Sequence, residues 1–163
     1  MPTPNLSWGH ININVSNLDA SIAFYEKFGF SVLIPGVPYL GIGKDRPSAI
    51  PAAQSNALNV AEGTKARACI MQLDNGFPKI DLTEYAKDAP RPAGANDDLG
   101  MMRLCLATQD LAADYALLKQ AGVEFLSAPT AGVGELADIA ICRDPDGTLI
   151  ELIEIHLSKW STE

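Results

Sequence analysis

Asp144-Pro145-Asp146-Gly147-Thr148-Leu149-Ile150-Glu151-Leu152-Ile153-Glu154 reads as a tight turn feeding an alternating strand. Pro145 presets φ for the turn and Gly147 tolerates positive φ, so the chain reverses before Leu149 and then runs extended. Period-two alternation puts Leu149, Glu151 and Ile153 on one face and Ile150 and Leu152 on the other. Glu151 thus shares a face with apolar neighbours, where an unpaired carboxylate is costly. It faces open solvent, or it has a partner: a cation, a hydrogen-bond donor or a metal.

The same unit of sequence occurs upstream. Trp8 to Val15 alternates, with His10, Asn12 and Asn14 on one face and Ile11, Ile13 and Val15 on the other. Ser16-Asn17 then supplies capping chemistry for a helix over Leu18 to Phe28, ended by Gly29, and Phe30 to Ile34 is a second strand. Lys65 to Asp74 and Lys79 to Tyr85 read as third and fourth strands around the turn signal Asp74-Asn75-Gly76. Downstream, Met101 to Thr108 is a strand, Asp110 to Gly122 a helix, Val123 to Leu126 a strand, and Ala137 to Arg143 leads into the turn at Asp144. Aligning Leu18 with Leu111 sets an offset of 93 that also superposes Gly29 on Gly122 and Leu33 on Leu126. Asp74 falls on Asp144 and Asp81 on Glu151 at an offset of 70, so the first copy carries 23 extra residues.

Those residues lie between Pro35 and about Thr64, a stretch broken by Pro38, Gly41, Gly43, Pro47 and Pro51. Loops of this length are lids, binding segments or solvated excursions. Tyr39, Leu40, Ile42 and Ile50 argue that at least part of this one packs on something. The spacing therefore predicts an α+β fold with residues 1–163 as a single domain. It has two tandem βαβββ modules, about 6–85 with the insertion at 35–64 and about 100–156, joined by a polar linker over about 86–99. Together the modules form one curved eight-stranded sheet around a central cavity, with the helices outside. Ile11, Ile13, Ile80, Leu82, Leu104, Leu106, Ile150 and Leu152 pack under the helices, whereas His10, Asn12, Asn14, Asp81, Thr83, Arg103, Cys105 and Glu151 line the concave face.

Composition narrows the function classes. The 163 residues include 20 acidic and 12 basic side chains, for a net charge of −8 and a pI near 4.6, which disfavours nucleic acid and anionic membrane as partners. Apolar residues make up 47%, ample for a core, yet no run approaches the roughly 18 apolar residues of a membrane span. Cys69, Cys105 and Cys142 are odd in number and widely spaced, so neither a disulfide framework nor a zinc ribbon is indicated, and a cytoplasmic location fits.

Gly9-His10-Ile11-Asn12-Ile13-Asn14-Val15-Ser16-Asn17-Leu18, Ala23-Phe24-Tyr25-Glu26-Lys27-Phe28-Gly29-Phe30, and the turn and strand from Asp144 to Leu152 resemble the vicinal oxygen chelate superfamily. That group contains glyoxalase I, extradiol dioxygenases and the bleomycin-binding proteins. The resemblance implies a divalent metal in the concavity, held from the first, fourth, fifth and eighth strands. By position His10, Asp81 and Glu151 match three of those ligands, and they would suit Mg, Mn, Fe or Zn with open positions for substrate. Arg103 stands at the fifth-strand position, where the family has His, and a guanidinium does not ligate metals. A metal-free arrangement is therefore preferred, with Arg103 in the cation's place, paired with Asp81, Glu151 or both, or awaiting a substrate oxygen.

The function this implies is a glyoxalase-like enzyme of the lyase or isomerase type, acting on a small oxygenated molecule by proton transfer with oxyanion stabilisation. His10, Glu151 and Arg103 are its catalytic candidates, and Asn12, Asn14, Tyr39 and Cys105 its substrate-binding ones. The alternative is a metal-free protein of the bleomycin-resistance type that sequesters a small molecule. Extradiol cleavage is disfavoured, because its two-His, one-carboxylate triad lacks the second His. Family resemblance also implies a homodimer, toward which the sequence itself offers only Leu157 and Trp160.

Overall fold

The computed structural model describes residues 6, 9–86, 94–97, 100–101 and 103–160. The chain divides into two compact units, Met1–Pro90 and Arg91–Glu163. In the first, β1 (His10–Asn14), α1 (Leu18–Glu26) and β2 (Phe30–Ile34) precede the short strands β3 (Gly36–Val37), β4 (Ile42–Gly43) and β5 (Ser48–Ala49) and the helix α2 (Ala52–Ala57). The long hairpin β6 (Lys65–Leu73) and β7 (Lys79–Tyr85) completes the unit. The second consists of β8 (Arg103–Thr108), α3 (Leu111–Gln120), β9 (Glu124–Phe125), β10 (Thr130–Ala131), β11 (Ala137–Arg143) and β12 (Leu149–Ile155).

The two ladders repeat each other. In the first unit the strand order is β1-β7-β6-β2, with β1 parallel to β7; in the second it is β8-β12-β11, with β8 parallel to β12 and with β9 and β10 both pairing β11. Register repeats too: His10 faces Lys79 across the first parallel pair, and Arg103 faces Leu149 across the second. Each unit is thus a βαβββ module, and the mixed α+β class follows. Element ends differ by a residue or two from the sequence pattern: α1 stops at Glu26 and α3 at Gln120, and the strand expected from Trp8 is described as His10–Asn14, Trp8 itself lying outside the described residues. Most of the predicted linker, at 87–93 and 98–99, also lies outside them.

Local chemistry sets the helices on their sheets. Asn17 Oδ1 accepts from the Ala20 amide at 3.0 Å, and its repeat equivalent Asp110 accepts from Ala113 at 2.9 Å, each satisfying one orphan donor of a helix start. A second acceptor comes from the last strand of each module. Glu84 Oε2 takes the Leu18 amide at 2.6 Å, and Glu154 Oε2 takes the Leu111 amide at 2.8 Å. The face opposite the candidate site therefore carries one carboxylate per module that pins its helix, and negative charge there suits the positive end of the helix dipole. Leu18, Phe24 and Tyr25 of α1 are buried, Tyr25 edge-on to Phe30 at 5.7 Å. In the second unit Leu111 and Leu118 are buried and Tyr115 meets Phe125 at 4.5 Å.

The insertion is packed rather than solvated. β3 and β4 form a hairpin tight enough that a Cβ on Gly36 would meet the Ile42 carbonyl oxygen at 2.7 Å. The 3-10 turn Pro38–Leu40 closes it, and β5 adds to the edge of β6. Val37, Leu40, Ile42 and Ile50 join Ala66, Ala68 and Ile70 in one buried cluster. The β6 residues of that cluster lie opposite Tyr85, Thr83 and Asp81 in the ladder, so the insertion covers the site-bearing face of β6. Burial of each Leu or Ile there is worth about 1.5–3 kcal/mol, which holds the segment down despite its prolines and glycines.

Candidate functional site

In the first unit the site-bearing face runs along β1 and β7. Asp81, in the middle of β7, is 2% exposed. Its Oδ1 accepts from Thr83 Oγ1 at 2.8 Å, and Asn12 Nδ2 donates to that same hydroxyl oxygen at 3.2 Å. Oδ2 lies 3.7 Å from His10 Nε2, within ion-pair reach but beyond a hydrogen bond. Burial pushes the Asp81 carboxyl above its ordinary range, while the Thr83 hydrogen bond and the His10 charge pull it back. The insertion adds Tyr39, whose ring is tilted 6.5 Å from the His10 imidazole; partial burial and the Asp81 charge both raise its phenol. Asn14 faces Thr83 in the ladder and is exposed. This is a buried carboxylate behind a half-exposed imidazole. When the imidazole takes a proton, the carboxylate stabilises the resulting cation.

In the second unit the repeat-equivalent positions hold a different pair. Arg103 Nε donates to Glu151 Oε2 at 2.5 Å, and Arg103 Nη1 donates to Asn96 Oδ1 at 2.8 Å. The Glu151 side chain is 13% exposed, so the paired reading of this carboxylate holds and the solvated one does not. Of the partners left open for Arg103, Asp81 or Glu151, the guanidinium takes Glu151. Its remaining N–H groups have no partner among the described residues. Cys105 lies opposite Glu151 in the ladder and is exposed; burial of its surroundings and the Glu151 charge raise its thiol, against the opposing pull of Arg103. Cys69 and Cys142, by contrast, are buried and pushed up to about 12, which leaves both as inert core thiols.

Within each unit taken by itself, the donors present do not make a metal site. Among the described residues no three His, Cys, Asp or Glu side chains come together as a ligand set. One expected ligand, Glu151, is already neutralised by a fixed guanidinium, whose charge opposes a divalent cation beside it. Sequence reasoning misses one member of the clusters: Asn96 sits in a polar stretch with no periodicity to place it. His156, which the sequence places where the last strand gives way to the tail, lies on the helix-side face between Asp138 at 3.4 Å and Glu154 at 3.8 Å.

Comparison with known proteins agrees with this architecture. A family model described as the Glyoxalase/Bleomycin resistance protein/Dioxygenase superfamily matches residues 7–152. Among solved structures, a glyoxalase family protein from Bacillus cereus superposes with a TM-score of 0.73 at 18% identity, over 95% of this chain and 98% of that one. A glyoxalase family protein from Enterococcus faecalis gives 0.59 at 22%, over 89% and 94%. A mutant glyoxalase I from Zea mays gives 0.61 at 22%, over 88% of this chain and 43% of that longer one. At these identities the likeness is one of fold. No curated protein matches the chain.

Proposed function

Because the chain belongs to the Glyoxalase/Bleomycin resistance protein/Dioxygenase superfamily, we propose that it is an enzyme of the lyase or isomerase type, moving a proton on a small oxygenated molecule with His10 as the base. The observation that carries this reading is the burial of Asp81 to 2% exposure behind His10, with its other oxygen held by Thr83. Burying a carboxylate costs stability even where it is hydrogen-bonded, and a sheet retains one where the charge serves a reacting neighbour. Tyr39, Asn12 and Asn14 are the substrate-contacting candidates around that dyad. In the second unit, Glu151 orients Arg103 and leaves guanidinium hydrogens for a ligand oxygen. The reaction takes place in the cytoplasm, to which three free cysteines are suited, and the protein acts as a homodimer.

Deuterium exchange tests the chemistry whatever the final product. The protein is incubated in D2O with a panel of small 2-oxo and 2-hydroxycarbonyl compounds, and proton NMR follows loss of the C–H signal next to the carbonyl. His10→Gln should slow any exchange by roughly 10²-fold or more, the usual worth of a positioned general base. Saturable binding of a compound that is recovered undeuterated would instead establish the sequestering reading. Sedimentation of the native protein tests the dimer.

A further inference from the structure

A base that takes a proton from carbon leaves negative charge on the neighbouring oxygen, and a hydrogen-bond donor has to meet it there. On β1 and β7 the donors around His10 are committed elsewhere. Asn12 Nδ2 donates to the Asp81 carbonyl at 3.4 Å and to Thr83 Oγ1 at 3.2 Å, and the Thr83 hydroxyl donates to Asp81 Oδ1 at 2.8 Å. Lys79 gives its ammonium to Gln72 and to the Gly76 carbonyl, within its own hairpin. Asn14 stands four residues along the strand from His10, about 13 Å away. The strands that carry the His10–Asp81 dyad thus supply no free donor at the imidazole.

The insertion supplies one. Tyr39 is the middle residue of the 3-10 turn Pro38–Leu40, and its neighbours fix it in place. Val37 is fully buried, Leu40 is 7% exposed, and the Gly41 amide closes the turn on the Pro38 carbonyl at 3.0 Å. Those apolar residues pack on β6, whereas Tyr39 is 57% exposed, with its ring 6.5 Å from that of His10. Its hydroxyl has no hydrogen-bond partner among the described residues. Partial burial and the Asp81 charge both raise the phenol, so the hydrogen stays on the oxygen at neutral pH. In the second unit, which lacks the insertion, the only tyrosine is Tyr115, and it packs on Phe125.

We infer that Tyr39 is a second catalytic residue beside His10, its hydroxyl donating to the carbonyl oxygen of the substrate while His10 takes a proton from the carbon next to that carbonyl. The inference rests on the proton-transfer reading with His10 as base. As the C–H bond breaks, its electron pair forms a C=C bond and the carbonyl pair moves to oxygen, where the Tyr39 hydrogen bond strengthens as charge grows. Return of the proton from the imidazolium to carbon completes the cycle, with nothing oxidised or reduced. With contacts of about 3 Å at each end, a C–C=O unit reaches both groups. Asp81 thus serves the base and Tyr39 the oxygen.

The test measures deuterium exchange of hydroxyacetone, acetoin and pyruvate in D2O, as initial rates over a range of concentrations, for the native protein and for Tyr39→Phe, Tyr39→Leu and His10→Gln. Tyr39→Phe keeps the ring and removes only the oxygen; it should lower kcat for exchange about 10²-fold and leave KM nearly unchanged. Tyr39→Leu, which removes the ring as well, should be about as slow as Tyr39→Phe. Full exchange in Tyr39→Phe with loss only in Tyr39→Leu would make the ring a mere wall of the site and overturn the inference. A raised KM at unchanged kcat in Tyr39→Phe would overturn it too. In either case, exchange by the native protein that His10→Gln abolishes leaves the proton-transfer reading standing. If the native protein exchanges none of the three compounds faster than His10→Gln does, that reading falls and the inference falls with it.

Discussion

Arg103 and Glu151 form a side-by-side ion pair, Nε to Oε2 at 2.5 Å, at the positions where the other repeat holds His10 and Asp81 at 3.7 Å. One ladder register therefore supports two versions of a base-to-acid contact, closed in the second unit and open in the first. The closed version is the more structural of the two. Arg103 is 43% exposed, so its contribution is moderated by solvent. A double-mutant cycle with Arg103→Ala and Glu151→Gln, read by urea unfolding, should give a coupling of about 0.5–1.5 kcal/mol. A coupling near zero would mean that the pair does not persist in solution.

Cys105 reports on the same pair through its chemistry. It is the exposed thiol of the three, and Glu151 raises it while Arg103 lowers it. Alkylation of the native protein at pH 8 should therefore modify one cysteine, against three in denaturant. At fixed pH, Glu151→Gln should speed that reaction and Arg103→Ala should slow it, because the thiolate is the reactive form. Mass spectrometry after timed quenching measures both rates, and opposite signs would show that the two charges act on Cys105 differently from their placement in the fold.

Much of this is legible in the sequence because it rests on period two and on repetition. Alternation alone groups Asp81 with His10 and Glu151 with Arg103, and the ladder of each unit places its own pair on one face. Helix faces and caps are readable for the same reason, since Asn17 and Asp110 are short acceptors set just before apolar runs. The insertion is not readable beyond its apolar residues. Val37, Leu40, Ile42 and Ile50 sit in or beside elements of two or three residues, too short to show a period, and their burial depends on Ala66 and Ala68, whose small side chains leave room on β6. The ion-pair partner of Arg103 is equally undetermined, because a sequence pattern gives the face of a side chain and not which of two acids it meets.

The two helix-pinning carboxylates should differ in worth. Glu84 and Glu154 accept equivalent helix amides, but Glu84 also receives Arg67 Nε at 3.0 Å and Nη2 at 2.7 Å. Arg67 is 14% exposed and also meets Asp19 at 2.8 Å. Glu154→Ala removes a cap, at about 1 kcal/mol. Glu84→Ala removes a cap and leaves a mostly buried guanidinium short of its main acceptor, at about 3 kcal/mol. Urea midpoints of the two variants should therefore separate clearly, with Glu84→Ala the lower.

Asp81 couples stability to pH with a sign opposite to that of an ordinary ion-paired acid. Burial raises its folded-state pKa above the reference value of 3.8, so the folded protein favours the protonated form. The stability associated with that proton is fully present below pH 3.8 and is lost as pH rises through the raised value. Asn keeps an oxygen for the Thr83 hydroxyl and carries no charge, so Asp81→Asn should gain stability relative to the parent as pH rises from about 4 to 7. The comparison is made in a His10→Gln background, which removes the imidazole titration, and is followed by unfolding at each pH. In the native background the same substitution should cut any His10-dependent deuterium exchange by about 10²-fold or more, since an imidazolium would then form without its counter-charge. Gain of stability with loss of exchange marks a carboxylate kept for chemistry; loss of both at neutral pH would mark it as a structural partner of Thr83 and His10.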